Sequence, residues 1–553
     1  MKVIPIQENF PSKSKSVCTL DQGESSNSVT MFSKYFASVA QILKANAIPL
    51  MNFVWRFTPQ SSPRTNKVFS TGYVSKIFIE KELRSLVRNK ATGIDDLPPG
   101  MLKDCAALIA KPLCHIINLS LRSSTIPSIW KVAKITPIFK SGNTSLTENY
   151  RPISVLLVLS KILEKAMHLE LISYLEREKL LHDSQYGFRS KRSTKLASTL
   201  LCDSIRREVD SGRLVGAVYI DLSKAFDTIG HAILLQKLQT YGITGKELAW
   251  FQDYLFYRSQ IVELCNTQSK CEPIFCGVPQ GSILGPLMFV IFYNDFVDYV
   301  SKSSVIMYAD DTVIYVSDTD VFKIETYLNQ DLEKISQYFR ENELIMNLKK
   351  GKSEVMLFGT AKRLKLHGKS LNVEYQGKQI TFVSKYKYLG TVIDSHLNMS
   401  DEFNLTYKKA SSRLRLLQRL RNYLTVESSR NIYLMMIAPL LTYSSTHRIP
   451  FTNTQSQKLR SLDKRASSII SSDSIPTIEG QIKRDICLLV KKCLLKELTS
   501  DTFNEYFLTN QHNKGTRNNN YSVRLPQVKL EYAKQSFYFL GGKSVQHIAS
   551  CTS

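Results

Sequence analysis

The sequence lacks the spacing of cysteine and histidine that a zinc site requires. Its ten cysteines are dispersed, no Cys-x-x-Cys pair occurs, and no histidine follows at a zinc-ligand interval. A zinc knuckle is therefore excluded. Without a paired cysteine framework, we expect reduced thiols in an intracellular protein.

Long apolar runs are also missing. The best candidate, Ile283 to Phe292, is interrupted by Gly285 and Pro286 and falls short of the roughly 18 residues that a membrane span needs. The segment Met1–Glu8 lacks the continuous apolar core of a signal peptide. We expect no membrane partner and no secretory address, with localisation in the cytoplasm, the nucleus or both, as the partner dictates.

Acidic residues are scarce relative to basic ones. The 553 residues include 73 Lys and Arg against 48 Asp and Glu, a net charge of +25, with 43% apolar residues. This length and apolar content are enough for about three or four domains with real cores. The positive surplus suits a polyanion, first nucleic acid and second an anionic membrane surface.

Two of the few acids stand side by side between apolar, β-rich runs. Val305–Met307 precedes Tyr308-Ala309-Asp310-Asp311, and Val313–Val316 follows it. This pattern predicts a hairpin with both carboxylates at its tip. Adjacent like charges repel each other, and a bound divalent cation is the usual reason to tolerate them. Taken alone, such a turn is more often simply solvated.

A third carboxylate, Asp221, ends the run Val215–Ile220, which is typical of a buried strand. The following segment, Leu222–Asp227, has the composition of a helix start. A carboxylate at a strand end that faces a carboxylate hairpin suits two-metal phosphoryl transfer, with ions roughly 3.5–4 Å apart.

Basic residues follow a predicted strand and turn upstream. Trp130–Lys140 is predicted to be a strand with a Gly-containing turn after it. Lys134, Lys140 and Arg151 would then lie on an exposed flap that could grip a triphosphate. A merely surface-charged hairpin explains the same residues equally well.

Two further turns are candidates for ligand contacts. Gln185–Arg189 combines aromatic and basic residues that could follow a template strand, although packing explains the aromatics as well. Gly277–Ser282 is a Gly- and Pro-rich turn that opens a helix, which exposes backbone N–H groups and permits close ligand approach. In the helix after Ser160, Glu164 is assigned to the solvent face.

These motifs occur in one order, and together they resemble a known family. They are Asn-Tyr-Arg-Pro-Ile-Ser from 149, Gln-Tyr-Gly-Phe-Arg from 185, Tyr-Ile-Asp-Leu-Ser-Lys-Ala-Phe-Asp from 219, Gly-Val-Pro-Gln-Gly-Ser-Ile-Leu-Gly-Pro from 277, Tyr-Ala-Asp-Asp from 308 and Tyr-Leu-Gly from 388. Residues of about 90 to 395 resemble the reverse transcriptase domain of non-LTR, LINE-type, jockey-like retrotransposons. The resemblance implies an RNA-directed DNA polymerase with an RNA template, a DNA primer, dNTP substrates and two Mg²⁺ ions.

The resemblance implies catalytic roles residue by residue. Asp221, Asp310 and Asp311 correspond to the metal-binding carboxylates. Phe226 corresponds to the aromatic gate that closes over the sugar 2′ position and favours deoxynucleotides. Lys352 corresponds to a lysine proposed to protonate the pyrophosphate leaving group, although Lys349 and Lys350 stand close by.

The resemblance also implies binding roles. Lys140 and Arg151 correspond to cations on the triphosphate, and Gln280 and Gly281 to the loop beside the nucleotide and template. Tyr388-Leu389-Gly390 resembles the primer-grip hairpin.

Further nucleic-acid contacts are expected from Arg189 and from a helix after residue 400. That helix combines an apolar stripe at Leu414, Leu417, Leu420 and Leu424 with cations that would follow phosphates. The cations are Lys408, Lys409, Arg413, Arg415, Arg419 and Arg421. A merely solvated basic helix is the alternative.

The predicted fold class is α+β: a right-hand polymerase with fingers, a ferredoxin-like split βαβ palm, a helical thumb, and helical N- and C-terminal extensions. The predicted boundaries are a poorly structured segment 1–75, a helical extension 76–130, fingers and palm 131–395, a helical thumb and basic region 396–500, and a tail 501–553 of unknown role. Within the first segment, Met31 to Leu43 is a possible helix. A loose linker is predicted over Asn510 to Asn520.

Several alternatives remain at this stage. The chain lacks the signatures of an endonuclease or a ribonuclease H, so we expect a truncated copy without its own nicking activity. Three other hypotheses remain: a group II intron maturase, a viral RNA-dependent RNA polymerase, and a catalytically silent nucleic-acid-binding relic. Phe226 argues for deoxynucleotides and against the viral enzyme.

Overall fold

The computed structural model describes most of the chain between residues 22 and 504. The described residues are 22–47, 63–367, 370–443, 445–447, 451–471, 475–498 and 501–504, with 528, 534, 536, 537, 540 and 541. The predicted linker of residues 510–520 and most of the 501–553 tail lie outside them.

Helices form the larger part of the described chain. Seventeen α-helices occur in this order: α1 Gln22–Ala47, α2 Lys76–Arg84, α3 Pro99–Asp104, α4 Ala106–Ser123, α5 Val158–Arg177, α6 Thr194–Asp210, α7 His231–Thr240, α8 Gly245–Leu255, α9 Leu284–Tyr293, α10 Val321–Glu341, α11 Ala361–His367, α12 Ser400–Leu420, α13 Val426–Ile432, α14 Ala438–Thr442, α15 Asn453–Ile470, α16 Ile478–Leu494 and α17 Asp501–Asn504.

Fourteen strands complete the described structure. They are β1 Val132–Phe139, β2 Tyr150–Val155, β3 Leu214–Ile220, β4 Arg258–Leu264, β5 Thr267–Gln268, β6 Glu272–Ile274, β7 Ser304–Tyr308, β8 Asp311–Asp318, β9 Glu354–Phe358, β10 Glu374–Tyr375, β11 Lys378–Gln379, β12 Thr381–Phe382, β13 Lys385–Tyr388 and β14 Thr391–Asp394. The coarse prediction of a mixed α and β protein is confirmed.

The chain divides into two compact units, each assembled from separate stretches. The first unit comprises Met1–His182, Leu222–Asp295 and Tyr338–Ile345. The second unit comprises Asp183–Asp221, Phe296–Gln337 and Met346–Ser553.

The first unit is built on a sheet with the order β2-β1-β4-β5, in which β6 also pairs with β4. β1 is antiparallel to β2 and parallel to β4. The aromatic residues Phe32 and Phe36 of α1 share a buried cluster with Ile135 and Val262 of this sheet. Segment 1–75 was expected to have little structure apart from a possible helix over Met31 to Leu43. A 26-residue helix spans that stretch, and burial of these rings stabilises it.

Two predictions about the first unit are wrong. Lys134 is not an exposed flap cation, because it is 8% exposed and its Nζ lies 3.4 Å from Asp96 and 3.5 Å from Glu263. Leu222–Asp227 does not begin a helix. Lys224 adopts a φ of +51°, which ends helical progression, and the next helix begins at His231.

The second unit contains a five-stranded sheet in the order β12-β9-β3-β8-β7. β3 is antiparallel to both β8 and β9, and β7 is antiparallel to β8. Every residue of β3 is buried. This explains why its sequence is a continuous apolar run rather than an alternating one.

The two faces of β3 are covered by different helices. Val215, Ala217 and Tyr219 belong to the same buried cluster as residues of α6. Gly216 points to the other face, where a methyl group on it would lie 2.3 Å from Ile324 and 3.1 Å from Leu328 of α10. The helix therefore approaches this strand more closely than a larger residue would allow.

The C-terminal part of the second unit is helical, as predicted for residues 396–500. Its helices α12, α15 and α16 contribute Leu414, Leu462 and Ile482 to the same buried cluster. Across the described residues, no helix is both long enough and apolar enough to cross a membrane.

Replacement of Gly216 tests the close packing of α10 on β3. Gly216→Ala forces the methyl group against Ile324, so we expect a loss of about 1–3 kcal/mol of unfolding free energy. Denaturant unfolding measures it. Ile324→Ala in the same chain should restore part of the loss, and additive losses in the double variant would contradict the contact.

Candidate active site

The strand register of the second unit brings the predicted carboxylates to one end of its sheet. Ile220 pairs with Thr312, so the next position along the same antiparallel register sets Asp221 opposite Asp311. Tyr308 pairs with Asp311, which leaves Ala309 and Asp310 as the turn of the hairpin. The predicted hairpin with a carboxylate tip is confirmed.

A neighbouring loop supports this tip from behind. The buried side chain of Gln185 accepts hydrogen bonds at Oε1 from the backbone N–H groups of Ala309, at 3.0 Å, and Gly187, at 2.8 Å. A methyl group on Gly187 would lie 2.3 Å from the Ala309 nitrogen. The left-handed φ of +55° at Ala309 is thus held by a polar contact and a close backbone approach.

Both carboxylate oxygens of Asp221 are engaged by side chains from one loop. Lys352 Nζ lies 3.2 Å from Oδ1, and Asn347 Nδ2 donates to Oδ2 at 3.1 Å. The backbone is tied as well, because Asn347 N–H donates to the Asp221 carbonyl at 2.8 Å and Asp221 N–H donates to Ser353 Oγ at 3.0 Å. These bonds fix the carboxylate at the end of β3.

This geometry separates Lys352 from the two lysines beside it. Lys349 and Lys350 are exposed, whereas Lys352 is half-buried and reaches Asp221. No role was assigned to Asn347 from the sequence. The polar residue that opens the lysine-rich loop was the available signal.

Tyrosine rings pack beneath the carboxylates. Tyr386 stacks on Tyr219 with ring centroids 4.0 Å apart, and its hydroxyl donates to the Lys352 carbonyl at 2.9 Å. Burial raises the pKa of Tyr386, and the negative charges of Asp311 and Asp221 raise it further. Both carboxylates therefore act on the same ring, and the neutral hydroxyl remains a donor to the Lys352 loop.

The donor chemistry of this site suits a divalent cation that prefers oxygen ligands. Within the described residues, no group of three or more His, Cys, Asp and Glu side chains forms a preassembled metal cluster. The Lys352 ammonium group forms an ion pair with Oδ1 of Asp221. Asp221, Asp310 and Asp311 would hold an ion once Lys352 releases Oδ1 of Asp221.

The predicted primer-grip segment forms a tight hairpin in the same unit. β13 and β14 pair around Leu389 and Gly390, whose φ values of +45° and +85° are those of a mirror-image turn. Tyr443 Oη donates to the Leu389 carbonyl at 2.8 Å and fixes the turn. Tyr388 is buried, so its side chain serves packing.

The predicted nucleic-acid residues differ in exposure. On α12 the buried stripe contains Leu414 and Leu417, but Leu420 is 42% exposed and Leu424 lies beyond the helix end. The predicted cations of this helix, including Lys408 and Arg413, are exposed. Arg189 is only 8% exposed, and its Nη1 lies 3.4 Å from the Gln185 carbonyl, a placement that favours a structural role.

In the first unit, the two predicted triphosphate cations are exposed at the end of one hairpin. Arg151 pairs with Ile138 across β1 and β2, and Lys140 follows β1 directly. Lys140 N–H donates to the Asn149 carbonyl at 2.8 Å and extends the pairing into the loop.

The predicted gate and the Gly-rich loop lie together in the first unit. Phe226 stacks on Phe289 of α9, with ring centroids 4.8 Å apart. Val278 N–H donates to the Phe226 carbonyl at 2.9 Å, and Gln280 Nε2 donates to Asp227 Oδ1 at 2.8 Å. Gly281 has a φ of +131°, and a methyl group on it would lie 2.4 Å from the Ser154 carbonyl oxygen.

Glu164 was wrongly assigned to the solvent face of its helix. It is 3% exposed and accepts from the Ile283 N–H at 2.6 Å and the Tyr254 hydroxyl at 3.0 Å. Burial raises its pKa, while the charge of Arg258 and these bonds oppose the rise. Glu164 thereby uses an N–H at the start of α9 that was predicted to be available to a ligand.

Removal of Lys352 tests the contact with Asp221 without any substrate. Lys352→Met frees one carboxylate oxygen and removes a positive charge, so Mn²⁺ affinity should rise about threefold, the size expected for a half-exposed ion pair. Electron paramagnetic resonance titration measures it. Lys350→Met is the matched control and should leave the affinity unchanged; equal effects of the two variants would rule the contact out.

Comparison with known proteins finds similarity to reverse transcriptases. Residues 138–393 match the family model described as reverse transcriptase (RNA-dependent DNA polymerase). Over 382 residues the chain is 28% identical to the probable RNA-directed DNA polymerase from transposon BS of Drosophila melanogaster, covering 66% of this chain and 41% of that protein.

Two other relatives extend the comparison. The RNA-directed DNA polymerase from mobile element jockey of Drosophila melanogaster is 27% identical over 382 residues, covering 66% of this chain and 40% of that protein. The Pol polyprotein from type-1 retrotransposable element R2 of Popillia japonica is 26% identical over 252 residues. The match covers 43% of this chain and 34% of that protein. The chain spans about two fifths of the length of the first two relatives. The reverse transcriptase match lies within residues 138–393, and the relatives named here are proteins of transposable elements.

Proposed function

We propose that the chain is an RNA-directed DNA polymerase that adds deoxynucleotides to the 3′-OH of a DNA primer on an RNA template. One observation carries the proposal. The register of β3 with β8 sets Asp221 opposite Asp311 and beside the Asp310 turn, within a segment that matches reverse transcriptases. Carboxylates in this arrangement suit phosphoryl transfer with two Mg²⁺ ions.

The chain's own residues would prepare the phosphoryl-transfer centre. Asp221, Asp310 and Asp311 would hold the two Mg²⁺ ions, which when bound make the primer hydroxyl more acidic and neutralise charge on the triphosphate. Asn347 holds the Asp221 carboxylate in a fixed orientation. Lys352, once released from Asp221, would supply a proton to the departing pyrophosphate.

Residues of the first unit would handle the nucleotide. Lys140 and Arg151 are exposed cations at one hairpin end and suit a triphosphate. Phe226 would exclude a 2′-hydroxyl, because its ring is held against Phe289. Gln280 and Gly281 would lie beside the incoming nucleotide and the template.

The architecture would be that of a right-hand polymerase. The strand order β9-β3-β8-β7, with β3 first in sequence, is the order of a split βαβ palm. The first sheet would belong to the fingers and the helices from α12 onward to the thumb. We retain segment 1–75, extension 76–130, fingers and palm 131–395, thumb 396–500 and tail 501–553 as the proposed divisions.

Template and primer binding would rest mainly on phosphate contacts. The exposed cations of α12, Lys408 and Arg413 among them, suit a helix that follows a nucleic-acid backbone. The Tyr388-Leu389-Gly390 hairpin would support the primer end. Arg189 would act indirectly, by holding the Gln185 loop. With these partners the protein would work inside the cell, in the cytoplasm or the nucleus.

Two alternatives to this function are an intron maturase and a catalytically silent relic. The named relatives are proteins of transposable elements, which favours a retrotransposon polymerase over an intron maturase. A silent relic would not need Asp221, Asp310, Asp311 and their polar supports together. Turnover on an RNA template separates the relic from the enzyme.

Substitution of the carboxylates tests the metal assignment. Asp221→Asn and Asp310→Asn each remove a charge needed to hold the ions, so primer extension on an RNA template should fall by about 10³-fold or more. Template binding should stay nearly unchanged. Asp318→Asn, at the far end of β8, is the control; extension that persists in either active-site variant would remove the assignment.

Substitution of Phe226 tests the sugar gate. Phe226→Val opens space at the ring position, so the ratio of rNTP to dNTP incorporation should rise by about tenfold or more. Phe226→Tyr keeps the ring and should keep the discrimination. Parallel single-nucleotide extension assays measure both ratios, and an unchanged ratio in the valine variant would count against the gate.

A further inference from the structure

Asp227 is an acidic residue next to the predicted gate to which no function has so far been given. Its Oδ1 accepts a hydrogen bond from Gln280 Nε2 at 2.8 Å. Its Oδ2 is shut off from solvent and has no hydrogen-bond partner within the described chain. The carboxylate is therefore committed to Gln280 on one side and buried on the other.

The backbone around this contact is held on both sides. Gly277 N–H donates to the Ile229 carbonyl at 2.7 Å, and a methyl group on Gly277 would lie 2.7 Å from the Asp227 carbonyl oxygen. Ser154 N–H donates to the Gln280 carbonyl at 2.7 Å. The loop that carries Gln280 is thus fixed between the Asp227 segment and β2, and the side-chain bond sets the last torsions of Gln280.

The contact also fixes which end of the Gln280 amide is available. The NH₂ group of Gln280 faces Asp227 and donates to it, which matches an ionised carboxylate, a group that only accepts. The amide oxygen Oε1 is then the group left for a ligand. Without Asp227 the amide could turn over, and the site would offer a donor as readily as an acceptor.

Asp227 and Gln280 also border a cavity of about 50 Å³ whose lining is mostly apolar. Arg258 and Gln260 line the same cavity with buried nitrogen atoms that have no partner in the described chain. A cavity of this size with such groups has room for water. Asp227 is therefore not an isolated charge in an apolar core.

We propose that Asp227 is a positioning residue of the nucleotide site, which holds the Gln280 amide so that its carbonyl oxygen accepts a hydrogen bond from the incoming nucleotide. The identity of the ligand rests on the proposed polymerase function. The orientation of Gln280 rests on the contact itself. The consequence is a specific one: loss of Asp227 should weaken nucleotide binding while the chemical step remains intact.

A double-mutant cycle in primer extension tests the proposal in the full chain. Asp227→Leu and Gln280→Ala should each raise the KM for dNTP about fivefold to tenfold, the value of one hydrogen bond, with little change in kcat. The double variant should be no worse than Gln280→Ala alone. Asp227→Asn keeps an acceptor and should recover most of the affinity.

Gln260→Leu is the matched control, because it alters the same cavity and leaves the Asp227–Gln280 bond in place. Its KM for dNTP should not change. The proposal would be overturned if the increases in KM of the two single variants multiplied in the double variant. It would also be overturned if Asp227→Asn and Asp227→Leu raised the KM equally. If Asp227→Leu does not fold, Asp227→Ala replaces it in the same cycle.

A second readout separates this proposal from the proposed function. The melting temperatures of the wild type, Asp227→Leu, Gln280→Ala and the double variant are measured without nucleotide. The drop in melting temperature of the double variant should be smaller than the sum of the drops of the two single variants. If the wild-type chain does not extend a primer, the polymerase proposal fails, and the cycle in melting temperature alone decides whether Asp227 holds Gln280. Additive melting shifts would refute the contact whatever the activity.

Discussion

The placement of the carboxylates depends on the antiparallel pairing of β3 with β8. Because strand register is fixed in steps of one residue, pairing Ile220 with Thr312 also determines which side chains meet at the end of the sheet. A shift by one residue would exchange the two buried faces of β3 and move Asp221 away from Asp311. Burial of β3 on both faces makes that shift costly, so core packing holds the carboxylates in place.

The same end of the sheet shows how close negative charges are tolerated in the protein. Asn347 and Lys352 engage the two oxygens of Asp221, and Tyr386 ties the Lys352 loop to the strand below. The lysine offsets charge that an ion would otherwise neutralise, and its side chain is partly exposed. Polar support and packing of the tyrosine rings thus serve one purpose, the fixed placement of carboxylates.

The carboxylate hairpin and the strand that leads to Asp221 were predicted because each has a strong local pattern. The hairpin at Tyr388-Leu389-Gly390 was predicted only from the family resemblance. Prediction failed for side chains whose burial is determined by contacts with residues far away in the sequence. Glu164 has the spacing of a solvent-facing residue but is buried by the loop before α9, and Lys134 is drawn inward by Asp96 and Glu263. The turn after Asp221 also escaped prediction, since its left-handed Lys224 has no glycine signal.

The central claim is that Asp221 and the Asp310-Asp311 tip share a divalent-ion site, and metal-directed cleavage of the backbone tests it most directly. Fe²⁺ would replace Mg²⁺ in the purified chain, with hydrogen peroxide and ascorbate added. Peroxide reduced by the bound Fe²⁺ gives hydroxyl radicals that cut the nearest peptide bonds, and ascorbate returns the Fe³⁺ to Fe²⁺. The account predicts fragments that end near residues 221 and 310–311, both suppressed by excess Mg²⁺. Cuts near only one of these segments, or at neither, would contradict it.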